Sequence, residues 1–402
     1  MDIFVARQPI YDRRLNVAGY ELLYRSGSRV NASGPIEGEQ ATSQVLVNTF
    51  MEFGLDAIVG DKPAFVNFTQ GALENGVVAG LPADALVLEV LEDVTVTPGL
   101  VQALKELKAK GFRVALDDFV YQPELQPLVD LAEIIKIDVM GLEPHELTER
   151  LGHLMDGNFK LLAEKVEDKA MYDLCLDLGF DYFQGYFLSK PDIVEGRRLP
   201  ANRTAILRLL ACLYDPEVEI GQIERLVSQD VSLSYRLLRY INSPYFALAK
   251  EVTSIQRAVT LIGLKEVKTW VTLLALSGID DKPDELVTRA MVRARMCEQL
   301  ARERGIADPD SCFTLGLFSM LDVLLDIPLA QILDNMPLTA ELREALLNHA
   351  GPKGGLLNCV LDYEKANWEA LPGDIMDCRH APDAYLGAVK WADETLHGLA
   401  ET

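Results

Sequence analysis

The chain has 402 residues, 49% of them hydrophobic, more than one compact core usually holds, so two domains are expected. Asp and Glu outnumber Lys and Arg by 61 to 38. The resulting net charge of -23 argues against DNA, RNA or an anionic membrane as a general partner, while leaving room for an anion in one pocket lined by basic residues or bound cations. Cys175, Cys212, Cys297, Cys312, Cys359 and Cys378 form no C-x-x-C pair, which points to neither a disulfide framework nor a cysteine zinc site and fits a reducing cytoplasm. The opening stretch MDIFVARQPIYDRR lacks the pattern of a signal peptide, and no apolar run reaches membrane-spanning length, so a soluble cytoplasmic protein is expected.

In chain order, short apolar runs alternate with amphipathic stretches up to about residue 190. Strands are predicted over Ala18 to Tyr24, Ala64 to Phe68, Leu86 to Leu91, Arg113 to Leu116, Ile134 to Ile137, Lys160 to Ala163 and Tyr182 to Gln184. About seven βα units in under 200 residues suit a closed, mainly parallel α/β barrel, whose chemistry gathers at the C-terminal strand ends. Asp192 to Arg203, with Pro200 and several charges, reads as a linker. Beyond it, Ala205 to Tyr214, Ile220 to Ser228, Leu233 to Ile241, Ile255 to Ile262 and Val287 to Arg304 repeat apolar residues at helical spacing, so the second half is expected to be all-α.

The predicted strand ends carry a series of polar residues: Glu21, Asn67, Glu89 with Glu92, Asp117 with Asp118, Lys136 with Asp138, Glu164 with Glu167, and Gln184. One carboxylate at a strand end is usually a helix cap or a solvated loop residue. A series at corresponding ends is different, because converging carboxylates repel unless a positive charge lies between them. Oxygen-rich donor sets favour Mg²⁺, Mn²⁺ or Ca²⁺ over zinc, and the two His in this half, His145 and His153, fall at no predicted strand end.

Gln8-Pro9-Ile10 and Glu21-Leu22-Leu23-Tyr24-Arg25 resemble the opening of EAL domains. The similarity continues in order through Val66-Asn67-Phe68, Glu89-Val90-Leu91-Glu92, Leu116-Asp117-Asp118-Phe119, Lys136-Ile137-Asp138, Ala163-Glu164-Lys165-Val166-Glu167, Gln184-Gly185-Tyr186 and Ser189-Lys190-Pro191. The resemblance covers residues 1–195 and implies a TIM-like (β/α) barrel that hydrolyses cyclic di-GMP to pGpG with Mg²⁺ or Mn²⁺. It implies that Glu21, Asn67, Glu89 and Asp117 ligate one metal, and that Asp117, Asp118 and Glu164 hold a second. It further implies that Lys136 orients or helps deprotonate water, that Glu164 and Gln184 share that catalytic region, and that Gln8 and Arg25 meet the substrate. Glu92 would anchor a loop that couples metal binding to contacts in a homodimer.

Two departures stand out. After Phe119 the family usually has a Gly-rich, Ser-containing loop, whereas this chain reads Val120-Tyr121-Gln122-Pro123-Glu124. Lys165 stands where Gly is usual. Three readings stay open on sequence: a working phosphodiesterase, a domain that binds cyclic di-GMP without cutting it, and a scaffold for a protein partner.

In the second half, Asp230-Val231-Ser232-Leu233-Ser234, Leu237 to Ser243, Ser254 to Val259 and Leu261-Ile262-Gly263 resemble the HDOD domain, a relative of HD phosphohydrolases. Where those enzymes place a His-Asp pair, this chain has Gly316-Leu317-Phe318-Ser319-Met320-Leu321-Asp322, without the His. His349, His380 and His397 read as surface or capping residues. The expected organisation is a barrel over 1–195, a linker over 196–204, and a regulatory all-α domain over 205–402 that meets an unidentified protein partner.

Overall fold

A computed structural model describes residues 3–26, 55–154, 157–185, 201–215, 217–242, 246, 252–277, 279, 282–334, 336–367 and 381–400. The chain divides into two compact units, one of residues 1–188 with 362–371 and the other of 189–361 with 372–402.

The first unit is a closed barrel of eight strands in sequential order: β1 Ile3–Asp12, β2 Val17–Ser26, β3 Ala64–Phe68, β4 Leu86–Val90, β5 Arg113–Leu116, β6 Ile134–Asp138, β7 Lys160–Glu164 and β8 Tyr182–Phe183. Sequence reasoning missed β1, because Arg7, Gln8 and Pro9 interrupt its apolar pattern and proline is rare inside strands. Pro9 lies outside the two β1 residues, Tyr11 and Asp12, that pair with β8, so no ladder bond to that neighbour is asked of it. β1 is antiparallel to both β2 and β8, while the pairs from β2 round to β8 are parallel. The expectation of a mainly parallel sheet thus holds for all but one strand.

Between the strands run α1 Asp56–Val59, α2 Gln70–Glu74, α3 Pro98–Ala109, α4 Gln126–Val129, α5 Pro144–Gly152 and α6 Lys169–Asp177. Their starts are set by local chemistry: Thr97 Oγ1 accepts from Leu100 N ahead of α3, and an Asp168 carboxylate oxygen accepts from Met171 N ahead of α6. Inside the barrel, Ile10, Phe65, Val87, Ala115, Ile134 and Leu162 form one buried apolar cluster, with Tyr182 packed against it. Gly19 makes room for this cluster, since a Cβ there would stand 2.7 Å from the Phe65 ring.

The second unit is helical, with α7 Ala201–Leu213, α8 Ile220–Ser228, α9 Val231–Ile241, α10 Ile255–Ile262, α11 Leu264–Leu276, α12 Asp284–Glu303, α13 Pro309–Phe318, α14 Leu321–Leu325, α15 Leu329–Asp334, α16 Ala340–Asn348, α17 Gly351–Glu364 and α18 Ala381–Ala400. Asp230 and Ser254 cap α9 and α10 by accepting from the backbone N of Leu233 and Arg257. α7 begins at Ala201, inside the stretch expected to be a linker. Arg203, on its first turn, is buried, donates to Leu325 O at 3.0 Å and pairs with Asp326 at 2.9 Å.

Candidate metal and phosphodiester site

Side chains alternate along a strand, so a residue two positions beyond a member of the barrel's apolar cluster faces the same interior. Two beyond Phe65, Val87, Ala115, Ile134, Leu162 and Tyr182 stand Asn67, Glu89, Asp117, Lys136, Glu164 and Gln184. On the antiparallel β1 the same step from Ile10 runs backwards to Gln8, whose register partner on β2 is Glu21. The polar ring is therefore the next layer of the apolar plug. Six of the sequence-selected residues (Glu21, Asn67, Glu89, Asp117, Glu164 and Gln184) are joined to one another or to Lys136 by the contacts that follow.

Lys136 is the centre of this ring. Its ammonium is fully buried and lies 2.5 Å from Asp117, 2.6 Å from Glu89, 2.9 Å from Glu164 and 3.7 Å from Glu21. Gln184 Nε2 donates to Glu21 Oε2 at 2.5 Å, and Asn67 Nδ2 donates to Glu21 Oε1 at 3.4 Å. Burial pushes Glu89 well above the ordinary carboxylate range, with Lys136 opposing and Glu21 and Asp117 adding to the shift. Burial likewise raises Glu164, to about 7, against the pull of Lys136. Burial alone would lower Lys136, but Glu89, Glu21, Glu164 and Asp117 together hold its ammonium well above the usual lysine range.

Four carboxylates around one ammonium leave negative charge uncompensated, which is where a divalent cation would be stabilised. Glu89 Oε2, Asp118 Oδ1 and Gln184 Oε1 are buried and accept no hydrogen bond among the described residues. Unsatisfied buried oxygens of this hard type are the donor chemistry of Mg²⁺ or Mn²⁺, so the residues fit such an ion. The carboxylates converge on the Lys136 ammonium more than on one another. Among the described residues no three His, Cys, Asp or Glu side chains are yet close enough to hold a metal.

The segment after β5 shows how the chain manages without the expected glycines. Phe119 N donates to Lys136 O at 2.9 Å and its ring is buried, Pro123–Leu125 form a short 3₁₀ turn, and Tyr121 stacks on His153 with centroids 5.2 Å apart. The unusual backbone angle falls on Asp118, at φ 41°. Glu92 is exposed and, among the described residues, makes no hydrogen bond or ion pair to this segment, although both line a cavity of about 240 Å³.

Lys165 bonds in a way that sequence reasoning missed. Its ammonium lies 2.5 Å from Asp138 Oδ2 and 3.7 Å from Asp118 Oδ2. Asp138 stands two residues beyond Lys136 on β6, so the same period of two marks it as the next inward position. The side chain of Arg25, the motif Ser189-Lys190-Pro191, and the side chains of His380 and His397 lie outside the described residues. In the helical unit, Arg293 donates to Ser319 Oγ at 2.8 Å in the segment where an HD enzyme would carry its histidine, and His349 forms the left-handed C-cap of α16. No helix among the described residues is long and apolar enough to cross a membrane.

Comparison with known proteins agrees with this architecture. The EAL domain family matches residues 63–191 and the HDOD domain family residues 199–338. YuxH of Bacillus subtilis (strain 168) is 34% identical over 98% of this chain and 99% of its own length. The cyclic di-GMP phosphodiesterase CdgJ of Vibrio cholerae is 33% identical over 97% of this chain and 92% of its own. Among solved structures, an EAL domain protein from Listeria monocytogenes EGD-e is 20% identical over 47% of this chain and 88% of its own, with a TM-score of 0.37. With two relatives above 30% identity along nearly the whole chain, the protein belongs to the family in which an EAL domain is followed by an HDOD domain.

Proposed function

We propose that the barrel is a metal-dependent phosphodiesterase that opens cyclic di-GMP to linear pGpG, and that the helical half regulates it through a protein partner. The observation that carries this reading is the buried ring of Glu21, Glu89, Asp117 and Glu164 about Lys136, in a chain aligned almost end to end with a protein named as a cyclic di-GMP phosphodiesterase. Glu21, Asn67, Glu89 and Asp117 would hold one Mg²⁺ or Mn²⁺, and Asp117, Asp118 and Glu164 are the set that the resemblance gives to a second. When bound, such ions supply Lewis acidity and charge neutralisation at a phosphodiester.

The chain's own groups divide the remaining work. Lys136, with its N–H groups given to Asp117, Glu89 and Glu164, fixes these carboxylates around the cation position, and Glu164 would take a proton from the attacking oxygen. Gln184 holds Glu21 by a direct hydrogen bond, and Gln8 faces Glu21 across the strand pair. Arg25 is assigned to a substrate phosphate, a task suited to a guanidinium fork. The second reading, binding of cyclic di-GMP without hydrolysis, is favoured by one observation, the ion pairs that Lys165 makes with Asp118 and Asp138.

The test is chromatographic detection of pGpG after incubating the full chain with cyclic di-GMP and Mn²⁺. The parent is expected to form product, and Glu21→Ala to lose at least ~100-fold in rate, since displaced reacting groups are costly. Absence of product from the parent, with saturable binding retained, would replace catalysis by the binding reading.

A further inference from the structure

The mouth of the barrel holds two lysines in different settings. Lys136 is fully buried and committed to four carboxylates. Lys165 is about half exposed, with 48% of its side-chain surface accessible, and it reaches inward to Asp138 at 2.5 Å and Asp118 at 3.7 Å. Both Lys165 and Asp118 hold left-handed backbone angles, φ 56° and 41°, which glycine adopts readily and residues with side chains adopt only when their surroundings impose it. The imposing contacts are visible. Val166 N donates to Gln184 O at 3.0 Å just after Lys165, and Phe119 N donates to Lys136 O at 2.9 Å just after Asp118. The two strained residues are thus pinned just beyond the ends of β5 and β7, on either side of β6, with their side chains meeting over the mouth.

Asp118 has one carboxylate oxygen toward the Lys165 ammonium and the other, Oδ1, buried without a hydrogen bond. A divalent ion ligated by Asp118 would lie within about a side chain's width of that ammonium, where like charges repel strongly in a partly desolvated site. The remaining ring, four carboxylates against Lys136, keeps its excess negative charge for one cation. We propose that Lys165 is a tethered cation standing in for the second divalent ion, so that the barrel binds one divalent ion per chain instead of two. The inference rests on the metal-dependent reading of the site given above.

The test counts Mn²⁺ bound to the full chain at saturation by equilibrium dialysis, with electron paramagnetic resonance of the same samples. Lys165→Gly removes the charge and suits the backbone angle, and Lys165→Met removes the charge while keeping the length of the side chain. The parent is expected to bind one Mn²⁺ with the spectrum of an isolated ion. Both variants are expected to bind two, with the broadened spectrum of a coupled pair. Heat denaturation checks folding, and Lys165→Gly is expected to melt no lower than the parent. Two ions in the parent, or one ion in both folded variants, would overturn the role of Lys165 while leaving the metal-dependent reading intact. No Mn²⁺ in the parent or either variant would defeat that reading and this inference together.

Discussion

Glu164 and Glu89 are carboxyl groups held among other carboxyls in a space that water barely reaches, and their protonation links the site to the stability of the barrel. Burial, opposed by Lys136 and reinforced by Asp117 and Glu21, raises Glu164 from 4.5 to about 7. The folded protein then binds more protons than the unfolded chain between those values. The stabilisation from this group is complete below about pH 4.5 and is lost as pH rises through about 7. Without added metal, urea denaturation at pH 5 and pH 7.5 is expected to show a fall in stability of which Glu164 supplies on the order of 3 kcal/mol, so that Glu164→Gln falls by less than the parent. Equal pH dependence in parent and variant would remove Glu164 as its source. At this scale much was legible. The strand period of two places Asn67, Glu89, Asp117, Lys136, Glu164 and Gln184 on one face without any structure. The partners of Lys165 were not legible, because an exposed lysine on a loop has many carboxylates within reach in sequence and only the backbone angles at Lys165 and Asp118 select two of them.

Among the elements, helices announced themselves where capping and periodicity agree. α8 and α10 fall on the residues that periodicity marks, and α10 runs from the Ser254 cap to Gly263 at φ 93°. α12 begins at Asp284, three residues before the expected Val287, because Asp284 and Glu285 look like loop residues in sequence while their charge suits a helix N-terminus. Packing between elements was less legible. Gly316, part of the Gly-Leu that precedes the missing histidine, lies against α12, where an added Cβ would come 2.6 Å from Ala294 Cα. Its value is close approach of α13 to α12. Gly316→Ala is expected to cost about 1–3 kcal/mol in thermal or urea denaturation with no change in Mn²⁺ binding. A neutral result would mean that the two helices separate without penalty.

Across the whole molecule, an excess of 61 acidic over 38 basic residues coexists with a barrel that buries a lysine completely, so net charge describes what the surface repels and little about the interior. The barrel closed with one more strand than its apolar runs predicted, and that strand is the one that runs against the rest. Among the described residues the closing seam between β1 and β8 has two residue pairs, Tyr11 with Phe183 and Asp12 with Tyr182. Across this short seam the Gln184 side chain reaches past β1 to Glu21 on β2. The site therefore acts as the clasp of its own container: the same carboxylate that is assigned to a cation also fastens the last strand to the second. Hydrogen exchange over residues 180–185 is expected to run faster than over β3 and β4, to slow when Mn²⁺ is added, and to quicken in Glu21→Ala. Exchange indifferent to both would mean that the backbone pairs alone keep the barrel shut. Otherwise ligand occupancy and closure of the barrel are a single equilibrium, and a partner that loosens the seam could silence the site from outside without touching a reacting group.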